Sequence, residues 1–178
     1  YSLNKAADVL GIGRKSAHAI EVDARNRIDL RALEARCRQL RAGGVKIIAL
    51  VGIGGTTETG NIDPLASMAA IAREHGAHFH VDAAWGGPTL FSARWRHLLA
   101  GIELADSVTL DAHKQLYVPM GAGMALFRDP AAVRAIEHHA RYIIREGSRD
   151  LGSKTLEGSR PGMAMLVHSG LRILGRRG

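Results

Sequence analysis

Cysteine is almost missing: Cys37 stands alone, so no disulfide can form within the chain, and a reducing, cytoplasmic setting is expected. Cys37 lies in a helix-patterned stretch and reads as a small packed side chain rather than a nucleophile. Aromatic residues make up only 4%, whereas glycine (21 residues) and alanine are plentiful. That mix suits tightly packed α/β units with many turns. Long apolar runs are also missing. None reaches the ~18 residues of a membrane span, and no signal-peptide pattern opens the chain. Acidic residues are in deficit, leaving a net charge of +7. The basic residues are dispersed, mainly over residues 25–41, 94–96 and 172–177. They fit solvated helix faces and chain ends better than a nucleic-acid-binding stripe.

What is present is enough for a core: 178 residues, 46% hydrophobic and 23% charged, the size of one domain. The pattern predicts a helix over residues 2–10, closed by Gly11-Ile12-Gly13, and a short strand over 17–22. Asp29 should cap a helix through Leu30, Leu33, Cys37 and Leu40. Residues 45–51 (VKIIALV) read as a buried strand, and Pro64 opens the next helix, ending near Gly76. Strands are expected at 77–81, 107–110 and 121–127, and helices at 95–104 and from Asp129-Pro130 to about His138. Residues 142–160 read as a polar mobile loop, followed by a helix from Pro161 to about Gly175. Strands alternating with helices imply a mostly parallel sheet with helices on both faces. Ligands of such sheets sit beyond the carboxyl ends of the strands. No internal repeat or linker divides the chain.

Three loops at those ends carry candidate chemistry. Lys114 follows a strand in the turn Asp111-Ala112-His113-Lys114, where partial burial would favour the uncharged amine that forms a Schiff base. Asp82 ends the strand of His80-Val81-Asp82-Ala83-Ala84. A carboxylate there is costly unless paired, and a protonated pyridine nitrogen would be a good partner. If the strand continues, Ala84 shares the face of Asp82 and could support a flat ring. The loop of residues 52–60 fails as a dinucleotide fingerprint because Thr57 stands where the third glycine belongs. Its threonines could donate to a phosphate or a phenolic oxygen. A rival reading makes His78, His80 and Asp82 zinc ligands on one strand face. Simple capping, surface and loop roles also stay open for each motif taken alone.

HVDAAWGG followed by DAHKQL, with 32 residues from Asp82 to Lys114, resembles the group II decarboxylases that use pyridoxal 5'-phosphate (PLP). The order also fits, with GTTETGNIDP first. The resemblance covers nearly the whole chain, and HVDAA plus HK in this order is a specific signal. It implies a fold type I large domain of the aspartate-aminotransferase kind, acting as a homodimer on a small amino-acid substrate. Lys114 would form the Schiff base, Asp82 would pair with the ring nitrogen, and Ala84 would pack on the ring. His113 would lie near the phosphate and cofactor, and Thr57 near the ring substituents. Tyr142 matches a tyrosine on a mobile loop that protonates the substrate carbon after carbon dioxide leaves.

Residues 142–162 look most like the bacterial aspartate or glutamate branch, so an acidic L-amino acid is the expected substrate, with Arg149 and Arg160 as candidate carboxylate partners. One departure is that many members have Asn-Pro where this chain has Asp111-Ala112, and a carboxylate is a poor phosphate partner. The resemblance further implies that residues 1–178 are an internal part of the large domain, without the upstream cofactor-binding segment and the C-terminal small domain. Such a piece need not be active alone. Another PLP enzyme on the same fold, such as a lyase or desulfurase, and a non-catalytic homologue are the alternatives.

Overall fold

Asp29 starts the second helix as its sequence demands: one carboxylate oxygen accepts from the amides of Arg31 (2.7 Å) and Ala32 (3.0 Å), two donors that the first turn leaves unpaired. The computed structural model describes residues 1–145 and 147–175. The chain divides into two compact units, Tyr1–Ile47 and Ile48–Gly178. No change in composition marks that boundary, which falls inside the apolar run 45–51.

The first unit holds α1 (Ser2–Val9) and α2 (Leu30–Ala42). Past α1 the amides of Ile12 and Gly13 both donate to Ala7 O, a return that needs the left-handed backbone of Gly11 (φ 75°). Leu33 and Cys37 are buried on one side of α2, four residues apart. Burial and the nearby Glu34 push the Cys37 thiol above its ordinary value, as expected of a packed, inert cysteine. The strand expected at 17–22 is reduced to a single bridge between Val22 and Ile28.

The second unit is built on four strands in the order β1 (Ala49–Ile53), β2 (His78–Asp82), β3 (Ser107–Asp111) and β4 (Gly123–Phe127). The first three are parallel and β4 is antiparallel. β1 lies further along the chain than its apolar run suggests. Its ladder is set by the partner: His78 N donates to Ile48 O, and Ala49 to Ile53 pair with His78 to Asp82. Helix α3 (Leu65–Glu74) packs on the face of Leu50, Gly52 and Phe79. A side chain at Gly52 would stand 3.1 Å from both Leu65 and Met68, so glycine lets the helix sit close. α3 thus supplies one of the covering layers expected for the sheet. The opposite face carries Val51, Ile53, His80, Asp82, Thr109 and Asp111, all half-buried.

Two expected helices are shorter and tighter. Residues 95–104 become the 3-10 turns Arg96–Leu99 and Ile102–Leu104, split at Gly101 (φ 96°), whose Cα lies against the α3 backbone at Ala66. Pro130–Ile136 is also 3-10, capped by Asp129. α4 (Met163–Leu174) begins after Pro161 and ends at Gly175, as the pattern predicts. Its Met163 and Val167 pack on the buried cluster Leu110, Ala112, Leu116, Val118 and Ala122. Among the described residues no helix is long and apolar enough to cross a membrane.

Candidate active site at the carboxyl ends of the parallel strands

Parallel pairing of β1, β2 and β3 delivers three loops to one sheet edge. The register sets Ile53 beside Asp82, and Asp82 beside Thr109, two residues before Asp111. β2 and β3 each end on an aspartate, Asp82 and Asp111, and β1 ends on Ile53.

Asp82 ends β2 on the middle strand of the parallel three. Its Oδ1 accepts from Ala84 N at 3.1 Å, turning the chain out of the strand. Extended geometry therefore stops at Asp82, and Ala84 is placed by this turn instead of by strand alternation. The carbonyl of Ala84 accepts from Asp111 N, tying the β2 loop to β3. Among the described residues the second oxygen of Asp82 takes no hydrogen bond.

Lys114 sits in the turn after β3, anchored by the buried Ala112 and Leu116 and by Ala112 N donating to Ala122 O. Its Nζ lies 2.9 Å from Asp111 Oδ2, with side chains 30% and 17% exposed. His113 directs Nδ1 at Ala122 O (3.1 Å). A carbonyl only accepts, so Nδ1 carries the proton and Nε2 is the acceptor of the neutral ring. That Nε2 stands 3.8 Å from Asp111 Oδ2.

Thr57 is exposed at the tip of the β1 loop. The loop is closed by its neighbour: Thr56 Oγ1 binds Thr59 Oγ1 (2.8 Å) and accepts from Asn61 N (3.1 Å). Tyr142 is 87% exposed, in a tight turn closed by the bridge between Ala140 and Ile144. Residues 142–160, expected as one loop, thus begin with this turn and contain the 3-10 helix Leu151–Lys154. Glu146 lies outside the described residues. The hydrogen bonds and ion pairs that link Asp82, His113 and Lys114 to their surroundings include neither Thr57 nor Tyr142. Arg149 and Arg160 are both exposed.

The sequence reading missed the partners of the β2 histidines. His78 Nε2 and His80 Nδ1 both meet Ser107 Oγ (2.7 and 2.8 Å), and His80 Nε2 meets Thr109 Oγ1 (3.1 Å). The alternation of Ser107, Thr109 and Asp111 along β3 was the available signal, but only the register pairs them with β2. These contacts occupy both ring nitrogens of His80 and Nε2 of His78. Among the described residues no group of three or more His, Cys, Asp or Glu is arranged to hold a metal.

Burial, the larger effect, pushes His80 below its ordinary value of 6.5; Asp82 opposes this and His78 adds to it. The unfolded chain then binds a proton that the folded chain resists, so this contribution to stability is full above 6.5 and is lost as pH falls through the folded value. The melting temperature is expected to drop as pH is lowered below 6.5, and His80→Gln to flatten that part of the profile. Parallel profiles for the two proteins would refute it.

The fold is an α/β domain of the class that takes its ligands at the carboxyl ends of parallel strands. The chain belongs to the pyridoxal-dependent decarboxylase family: the profile of that conserved domain matches residues 1–178. Over 178 residues it is 60% identical to the aspartate 1-decarboxylase of Aliivibrio fischeri, covering 100% of this chain and 32% of that protein. It is 33% identical to an L-2,4-diaminobutyrate decarboxylase of Acinetobacter baumannii, covering 98% and 35%. The crystal structure of mouse CSAD in apo form superposes with a TM-score of 0.92 at 33% identity, covering 100% of this chain and 38% of that one. The chain spans about a third of the length of these curated relatives.

The residues of the edge suit the family's cofactor. A pyridine aldehyde needs an amine for its aldehyde carbon and an anion for its ring nitrogen. Lys114 offers the amine, and Asp82 offers a carboxylate with one oxygen still open among the described residues.

Proposed function

We propose that the full-length protein is a PLP-dependent decarboxylase of an acidic L-amino acid, with aspartate, giving β-alanine, as the first candidate. The observation that carries this is that Lys114, in the turn after β3, and Asp82, at the end of adjacent β2, follow the carboxyl ends of neighbouring parallel strands. The choice of aspartate rests on the 60% identity to an aspartate 1-decarboxylase. Residues 1–178 would form part of the large cofactor domain of a cytoplasmic homodimer.

The cofactor, when bound, supplies an electron sink for the carbon that loses carbon dioxide. Lys114 would hold it through its aldehyde carbon, and must shed the ammonium proton to do so. Asp82 would keep the ring nitrogen protonated, since a carboxylate stabilises the cation beside it. The turn at Ala84 would pack on the ring. His113, with Nδ1 committed to Ala122 O, would lie near the phosphate and the cofactor. Thr57 would contact the ring substituents. Tyr142 would deliver the proton to the substrate carbon from its exposed turn, which must close over the site to do so.

The test is carbon dioxide release from L-aspartate, L-glutamate and L-2,4-diaminobutyrate by the full-length protein with PLP. Aspartate is expected to give the highest kcat/KM. Preference for glutamate would keep the acidic class and change the chain length, whereas preference for diaminobutyrate would overturn the acidic reading. PLP bound without carbon dioxide release from any substrate would favour a lyase or desulfurase.

A further inference from the structure

Asp111 is the last residue of β3. It closes β3 opposite Gly123 of β4, and Asp111 Oδ1 lies 3.2 Å from where a side chain on that glycine would begin. Its amide is held by Ala84 O, so the backbone that carries it is tied to the turn after β2 as well as to β4. Its Oδ2 reaches Lys114 Nζ at 2.9 Å, one turn further on. Among the described residues Asp111 is the ion-pair partner of Lys114. Both side chains are mostly shielded from water, which separates this pair from an ordinary surface salt bridge. The titratable groups around it are His113 on the same turn and Asp82 on β2; β4 opposes Asp111 with Gly123, which carries none.

We infer that Asp111 is a positioning residue that masks the Lys114 amine by holding its Nζ in an ion pair, and so sets how readily that amine reacts with an electrophilic carbon. The inference rests on the reading of Lys114 as the cofactor lysine for its biological meaning. Its physical content is independent of that reading. An amine attacks a carbonyl carbon with its lone pair, so the ammonium must first give a proton to solvent and the ion pair must break. A carboxylate at 2.9 Å engages Nζ in a charge-assisted hydrogen bond that must break first, whereas the isosteric neutral amide of asparagine offers a weaker one.

The test is competitive acetylation of the full-length, cofactor-free protein by acetic anhydride at neutral pH. Labelling of the Lys114 peptide is read by mass spectrometry against the exposed Lys46 as internal standard. In Asp111→Asn the ratio of Lys114 to Lys46 labelling should rise by about threefold to tenfold. Asp111→Glu, which restores a carboxylate, should return the ratio toward wild type. A merely structural aspartate would leave the ratio unchanged in Asp111→Asn, and that result overturns the inference. Thermal melts of the variants separate this from unfolding, because a disrupted turn would raise Lys114 labelling in Asp111→Glu as well, which also counts against masking. Borohydride trapping of PLP on wild type runs in parallel. A changed acetylation ratio without trapping at Lys114 would uphold masking by Asp111 and overturn the cofactor role of the lysine.

Discussion

Lys114→Ala in the full-length protein should remove borohydride-stable attachment of PLP and lower decarboxylation by at least about 10³-fold. The amine is placed by backbone, not by chance: the turn from Asp111 to Val118 is pinned by Ala112 N to Ala122 O, by Val118 N to Ala112 O and by buried Leu116. Removing the side chain leaves those anchors intact. Losing the ion pair leaves the shielded Asp111 carboxylate without that partner, so a thermal melt of the variant accompanies the assay to separate lost attachment from lost folding. Reduction with borohydride, digestion and mass spectrometry give the readout: a cofactor adduct on the Lys114 peptide of wild type and none on the variant. Decarboxylation at the wild-type rate by the variant, or an adduct on another lysine, would remove Lys114 from the mechanism.

Gly86→Ala should be among the most destabilising single-methyl additions in the second unit. A side chain at residue 86 would begin 2.0 Å from Gly54 O and 3.0 Å from both Gly54 C and Gly55 Cα. All three atoms are backbone, so no rotamer change relieves the clash, and the loops after β1 and β2 must separate. The expected cost is about 2–4 kcal/mol, at the upper end for overpacking. The conformation of Gly86 itself is ordinary (φ −82°, ψ −10°), so the penalty is one of space and not of backbone strain. Gly158→Ala is the control, since nothing lies within 4 Å of the added methyl. Urea unfolding of the full-length variants should show a lowered midpoint for Gly86→Ala alone. Equal midpoints would mean that the two loops are not in close contact. Because Asp82 and its turn lie on one of these loops, the same variant should also weaken PLP binding.

Local signals in the chain marked several elements well. The cap at Asp29, the breaks at Gly11 and Gly175 and the opening of α3 after Pro64 follow from one residue's own chemistry, so they are readable without partners. Elements that depend on a neighbour were misplaced. β1 slid toward Ile53 because its limits are those of its ladder with β2, and the helix expected over 95–104 broke at Gly101 because α3 comes close there. The site divides in the same way. Asp82 and Lys114 stood out as polar groups just past hydrophobic strands, and their order and spacing carried the resemblance to the decarboxylases. Asp111 stood out only as a departure from that pattern.

By itself, then, the sequence determined the class of fold, because periodicity, caps and strand-end residues are local properties of the chain, and its HVDAAWGG and DAHKQL motifs carried the resemblance to the family and offered Lys114 and Asp82 as candidate cofactor partners. Tertiary structure alone decided which groups act on one another. The pairing of Asp111 with Lys114, the histidine–hydroxyl contacts of His78 and His80 with Ser107 and Thr109, and the crossing of Gly54-Gly55 with Gly86 arise from the register of β1, β2 and β3 and the turn that follows β3. Register joins residues as far apart as His80 and Thr109 through backbone hydrogen bonds between strands, and no residue's own preference encodes it.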